Sequence, residues 1–148
     1  MSCLFHFMRS LLIGLALAAA PALAQQLPTV QLRAGMHLIS AEVAADYETR
    51  ARGLMHRKSL AQNAGMVFRF EQPSVQCMWM KNTLIPLSVA FLDEKGTVIN
   101  IADMQPHSEQ SHCAAKPALY ALEMTQGWFA QRGIKPGMKL GGLSTAPR

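Results

Sequence analysis

Between residues 36 and 143 the chain holds seven short strand-like runs and one clear helical stripe, and that ratio limits the fold more than any other feature. Met36 to Val43 alternates, with His37, Ile39, Ala41 and Val43 on one face. Gly65 to Phe70 places Met66, Phe68 and Phe70 inward and Arg69 outward. Val75 to Asn82 is apolar on both faces until Lys81, which predicts a strand covered on both sides. Pro86 opens a fourth run, with Ile85, Leu87, Val89 and Phe91 on one face. Asp93-Glu94-Lys95-Gly96 then turns it back into Thr97 to Met104, where Ile99 and Ile101 are expected to be buried. Ala118 to Met124 sets Tyr120, Leu122 and Met124 against Glu123, and Met138 to Leu143 is the last run. So many short strands beside one helix bury their apolar faces only in a sandwich or a partly closed barrel.

The helix is capped by Asp46 and carries Tyr47, Ala51, Leu54 and Met55 as its apolar stripe. Gly53, close to its end, either frays the last turn or lets another backbone approach. Glu71 to Ser74 reads as a turn, Gln105 to Pro117 as a long polar loop, and Gly127 to Gly133 as a short helix or turn carrying Trp128 and Phe129.

Residues 1–24 stand apart. Arg9, the apolar run from Leu11 to Ala20 and the small-x-small triplet Ala22-Leu23-Ala24 have the form of a secretory signal peptide cleaved before Gln25. The run is too short for a bilayer span, which takes about 20 apolar residues. The expected organisation is a signal peptide at 1–24, a flexible lead-in at 25–35, one β-rich domain at 36–143 and a tail at 144–148. The mature protein is then periplasmic or secreted, without a membrane span. It carries 13 basic and 9 acidic residues, a mild +4, dispersed and not interleaved with aromatics, which argues against nucleic acid.

Cys3 departs with the leader and leaves Cys77 and Cys113. In an oxidising compartment two cysteines most simply form one disulfide. Closing a loop of about 36 residues contributes roughly 3–4 kcal/mol on the loop-entropy estimate. The alternative is a reactive thiol at Cys113 activated by His112.

The densest stretch is Cys77-Met-Trp-Met-Lys-Asn-Thr-Leu-Ile-Pro-Leu-Ser-Val-Ala-Phe91. Together with Gly53-Leu54-Met55, Arg57, Gly65-Met66-Val67-Phe68, Leu122-Glu123, Gly127 and Gly133-Ile134-Lys135-Pro136-Gly137, it resembles the bacterial and archaeal family known as domain of unknown function 192. The likeness runs in order over about residues 36 to 143. It implies a compact, jelly-roll-like β-sandwich with a short helix on one side, and it implies no activity. One position departs: the family pattern usually has an aspartate after the Pro-Leu pair, where this chain has Ser88. The two cysteines also lie outside the common pattern.

These residues suit three chemistries. Eight methionines remain after the leader, and Met55, Met66, Met78, Met80 and Met124, with His107 or His112, would suit a soft metal such as Cu(I). There is no repeated Met-x-Met series, however, and Met also fills irregular cores. An anion or polar-ligand surface would use the basic cluster Arg50, Arg52, His56, Arg57 and Lys58 and the donors Lys81, Asn82 and Thr83 beside Trp79, with Met80, Met55 and Glu123 nearby. The cluster equally suits a solvated helix face whose charges complement the dipole. A hydrolase-type enzyme would rest on Glu123, but the chain has no nucleophile elbow, His-Glu-x-x-His helix, phosphate loop or Cys-x-x-Cys. The expectation is a binding or accessory module for a small ligand or a cell-envelope protein, with no cofactor and no catalytic residue assigned.

Overall fold

The computed structural model describes residues 26–147. The expected signal peptide lies outside the described residues. The described chain forms nine strands and two short helices: β1 (Thr29–Ala34), β2 (His37–Ala44), α1 (Tyr47–Arg52), β3 (Ala64–Ser74), β4 (Cys77–Met78), β5 (Leu87–Leu92), β6 (Val98–Met104), β7 (His112–Cys113), β8 (Ala118–Thr125), α2 (Trp128–Gln131) and β9 (Leu140–Gly141), with a 3-10 turn at Leu143–Thr145.

Seven strands make one curled sheet in the order β6-β5-β8-β3-β2-β1-β9, and β4 pairs with β7 as a separate ribbon. The chain is mainly β, as expected, and of the expected forms the partly closed barrel is the one seen. Segment 137–141 draws the ends of the sheet together. Its Leu140 pairs with Ala34 of β1, while Thr97, just before β6, bridges Lys139. The Leu140 amide donates to the Gly96 carbonyl at 2.9 Å and the Val98 amide to the Met138 carbonyl at 2.8 Å.

β5 is Leu-Ser-Val-Ala-Phe-Leu and buried at every position, because both faces of the sheet are covered. Inside the curl pack Leu32, Ile39, Val43, Val67, Leu122, Met124, Trp128 and Phe129. On the outer face Met66, Phe68, Leu87, Val89, Phe91 and Ala121 pack under Leu54, Met80 and Ala114. That second layer is the one that carries the site.

Several expectations change. Residues 29–34, expected within a loose lead-in, form β1, with Leu32 and Ala34 fully buried. Their outward Thr29, Gln31 and Arg33 gave the segment its polar look. β2 and β3 run parallel, so α1 is the crossover that parallel strands require. No residue of α1 is buried, and Tyr47 is 81% exposed; only Leu54, in the turn that follows, docks in the core. Residues 71–74 extend β3 rather than turning. Val75 to Asn82 is not a doubly covered strand: only Cys77–Met78 pairs, while Val75 and Trp79 face outward. In β6 the fully enclosed positions are Val98 and Met104, whereas Ile99 and Ile101 are half-buried. The last expected strand shortens to β9 and the 3-10 turn.

The β5–β6 hairpin forms at the expected turn. The Asp93 carboxylate accepts from the amides of Lys95 at 2.9 Å and Thr97 at 2.8 Å. Ser88, where the family pattern has aspartate, donates to the Asp103 carboxylate at 2.5 Å and accepts from the Gly127 amide at 2.9 Å. The neighbouring strand therefore places a carboxylate beside that position. Cys77 and Cys113 are bonded, at directly opposed positions of β4 and β7.

Candidate functional site

Among the described residues three polar side chains are buried: Thr83, Ser88 and Glu123. Ser88 is satisfied by Asp103 and Gly127. The other two line one small cavity of about 100 Å³ on the outer face of the sheet.

Glu123 sits in the middle of β8, with Met66 of β3 on one side and Val89 of β5 on the other, both fully buried. It is 3% exposed. Burial alone pushes its carboxyl up to about 8, and no hydrogen bond to it forms among the described residues. No fully enclosed side-chain oxygen or nitrogen lacks a partner among them, so the unmet carboxyl oxygens are those that open on the cavity. At neutral pH the group is mostly a carboxylic acid, able to donate and to accept.

The walls come from three places. Gly53, Leu54 and Met55 arrive on the turn after α1, Phe68 rises from β3, and Cys77, Met78, Trp79 and Thr83 come from the segment held by the ribbon. Gly53 ends α1 by donating its amide to the Thr49 carbonyl at 2.9 Å with φ 47° and ψ −133°, a conformation suited to glycine. A β-carbon there would stand 3.1 Å from the Phe68 ring. The helix starts at Asp46, whose carboxylate accepts from the Thr49 amide at 2.8 Å; that bond holds its pKa below the usual value. Trp79, 46% exposed, stands at the mouth, with Lys81 Nζ 5.2 Å from its ring centroid.

Backbone bonds lace the surrounding loops. Met80 to Thr83 is a tight turn, closed by the Thr83 amide on the Met80 carbonyl at 3.0 Å, with Asn82 at φ 55°. The His56 amide donates to the Asn82 carbonyl at 2.9 Å, and the His107 amide to the Thr83 carbonyl at 3.1 Å. His56 and His107 also hold positive φ. All three positive-φ residues other than glycine, among the described residues, therefore surround the turn that carries Thr83, a clustering usual where strain is kept at a site.

The structure brings Trp79, Thr83, Met55 and Glu123 to one cavity. Met80 is fully buried in the outer core, and Lys81 and Asn82 are exposed on the turn. Arg57 pairs with Glu42 at 2.6 Å in an adjoining groove of about 530 Å³ that shares Arg52, Gly53 and Met55 with the cavity. Phe68 lines the cavity without having been expected there, while Arg50 comes from the basic cluster and Met78 from the soft-metal set. Arg50 bonds the carbonyls of Ala45 and Arg69 and lies 3.5 Å from Glu71. Of the side chains weighed for a soft metal, Met78 and His112 are cross-strand partners, while Met66, Met80 and Met124 are fully buried. Among the described residues no group of three or more His, Cys, Asp or Glu is placed to hold a metal.

The curled sheet and its carboxyl-floored cavity define a small β-rich domain with a narrow pocket against the outer face of its sheet. The chain belongs to the domain of unknown function 192 family (DUF192, "uncharacterized ACR"), whose profile matches residues 30–142. The matched region takes in β1 from Val30 onward. Two solved structures are similar. One is a protein from Sinorhizobium meliloti provisionally described as a transcription regulator, 36% identical, with a TM-score of 0.72 over 77% of this chain and 92% of that one. The other is a protein of unknown function from Novosphingobium aromaticivorans, also 36% identical, with a TM-score of 0.72 over 83% of this chain and 90% of that one. No curated protein matches the chain.

Proposed function

We propose that this protein is a periplasmic or secreted binding module, and that its ligand enters the cavity between Trp79 and Glu123. One observation carries the reading: a buried carboxyl without a hydrogen-bond partner meets a cavity whose mouth is a half-exposed indole. A ligand donor inside the cavity would give this carboxyl a hydrogen bond that the protein does not supply, worth about 0.5–1.5 kcal/mol and more where the donor is charged. The export half of the reading rests on the leader sequence and on the disulfide, a bond that persists in oxidising compartments.

The hydrolase alternative gains something from Glu123, since a carboxyl at about 8 can act as a general acid. It needs a second acid–base or nucleophilic group, and the other ionisable side chains lining the cavity are Arg50 and Arg52. Binding is therefore the better-supported use of the pocket.

Native mass spectrometry of protein isolated from its own compartment tests the reading. The expected mass starts at Gln25, lacks two hydrogens and carries a small molecule. Trp79→Ala and Glu123→Gln lose that molecule while thermal melts show both variants folded. A bare wild-type mass that no extract of the same compartment changes would overturn it.

A further inference from the structure

The chemistry of the pocket narrows the ligand, on the premise that the pocket binds one at all. At about 100 Å³ the cavity is small, and the end of a narrow chain fits inside it. Around that space stand the Met55 and Met78 thioethers and the Phe68 and Trp79 rings, with one hydroxyl, Thr83, and one carboxyl, Glu123. Thioether and aromatic walls suit an aliphatic chain, and the Trp79 face already draws one ammonium, that of Lys81. Among the described residues Glu123 has no counter-charge at bonding distance. Of the two arginines at the rim, Arg50 is held by Ala45, Arg69 and Glu71, while Arg52 is exposed. That leaves an acid inside and a free cation outside.

We propose that the cavity receives the primary ammonium end of an aliphatic chain, paired with the Glu123 carboxylate and flanked by Thr83, with an oxygen-bearing group of the same ligand near Arg52. The amine comes either from a free ω-amino acid or from a lysine side chain of a partner. Pairing favours the ionised carboxylate, so uptake of the cation at neutral pH displaces the proton Glu123 holds. The charged groups around Glu123 are Arg50 and Arg52 from α1; β3, β5 and the Trp79 segment contribute none to the lining.

Isothermal titration with 5-aminopentanoate, pentanoate, 1-pentanol and Nα-acetyl-lysine N-methylamide tests this, each in two buffers of different ionisation enthalpy. At least one of the two amines should bind about tenfold or more tightly than pentanoate and pentanol, the ratio expected of a charge-assisted hydrogen bond. Its heat should differ between buffers by the release of a fraction of a proton, and Glu123→Gln should erase both effects. Preference for 5-aminopentanoate identifies a free amino acid as the source, and preference for the lysine amide a partner's side chain. Pentanoate or pentanol binding as well as the amines would overturn the ammonium assignment and leave the pocket a binding site. No binding by any probe, while native protein carries another molecule lost in Glu123→Gln, would also overturn the ammonium assignment alone. No binding by any probe together with a bare native mass would overturn both.

Discussion

The amide of His56 donates to the carbonyl of Asn82 at 2.9 Å, and both residues hold a left-handed backbone, at φ 62° and 55°. Two loops distant in sequence thus meet, and the meeting sets where Thr83 and Met55 stand.

Asn82 is then a backbone residue before it is a contact. Asparagine tolerates this conformation better than other non-glycine residues. Asn82→Gly should leave stability within about 0.5 kcal/mol, while Asn82→Val should cost about 1–2 kcal/mol. Urea unfolding of the two variants checks this. Equal losses would mean that the side chain, not the conformation, is what matters.

Gly53 answers to two constraints, its positive φ and the Phe68 ring 3.1 Å from where a β-carbon would sit. Gly53→Ala should destabilise by about 1–2 kcal/mol and alter the near-ultraviolet signal of Trp79, because the same turn walls the cavity. An unchanged melt would show that the turn adapts freely.

The ribbon of β4 and β7 is two residues long on each side, too short to persist alone, and the Cys77–Cys113 bond ties it. The double variant Cys77→Ala/Cys113→Ala should lose about 2–4 kcal/mol in denaturant. It should also expose Trp79 further, measured as increased acrylamide quenching against a Trp79→Phe background that reports Trp128 alone. Loss of stability without a change at Trp79 would separate the ribbon from the pocket.

Much of this was readable from residues. The Asp93–Gly96 hairpin follows from turn chemistry, and the Leu87, Val89 and Phe91 face from period-two alternation. Trp79, Thr83, Met55 and Glu123 stand out in the sequence by residue type and line one cavity. β1 escaped notice because its outward residues are polar and Pro28 precedes it. The Val75–Asn82 segment misled because Val75 and Trp79 face solvent and Met78 lines a pocket, so that only Met80 enters a core layer. Tyr47 misled by helical spacing, since α1 connects β2 to β3 without burying a stripe. The solitary burial of Glu123 depends on Leu54, Trp79 and Thr83 converging from remote parts of the chain, which no local pattern records.

The buried acid also sets a pH dependence. Glu123 titrates at about 8 in the fold against an ordinary 4.5, so the folded chain keeps a proton that the unfolded chain releases. Stability from this group is fully present below about pH 4.5 and is lost as pH rises through 8. At about 1.4 kcal/mol per unit, wild type should lose roughly 3–5 kcal/mol between about pH 5 and pH 8 relative to Glu123→Gln. Urea unfolding of both proteins across that range checks the sign, and parallel curves would contradict it.

Glu123 is a buried carboxyl, without a hydrogen-bond partner among the described residues, that opens on a pocket. The most direct measurement is the pH titration of its side-chain carboxyl carbon by ¹³C NMR in glutamate-labelled protein, with Glu123→Gln assigning the resonance. The account predicts a midpoint near 8, moving down when a ligand amine is added. A midpoint near the ordinary 4.5, unmoved by any added molecule, would contradict it.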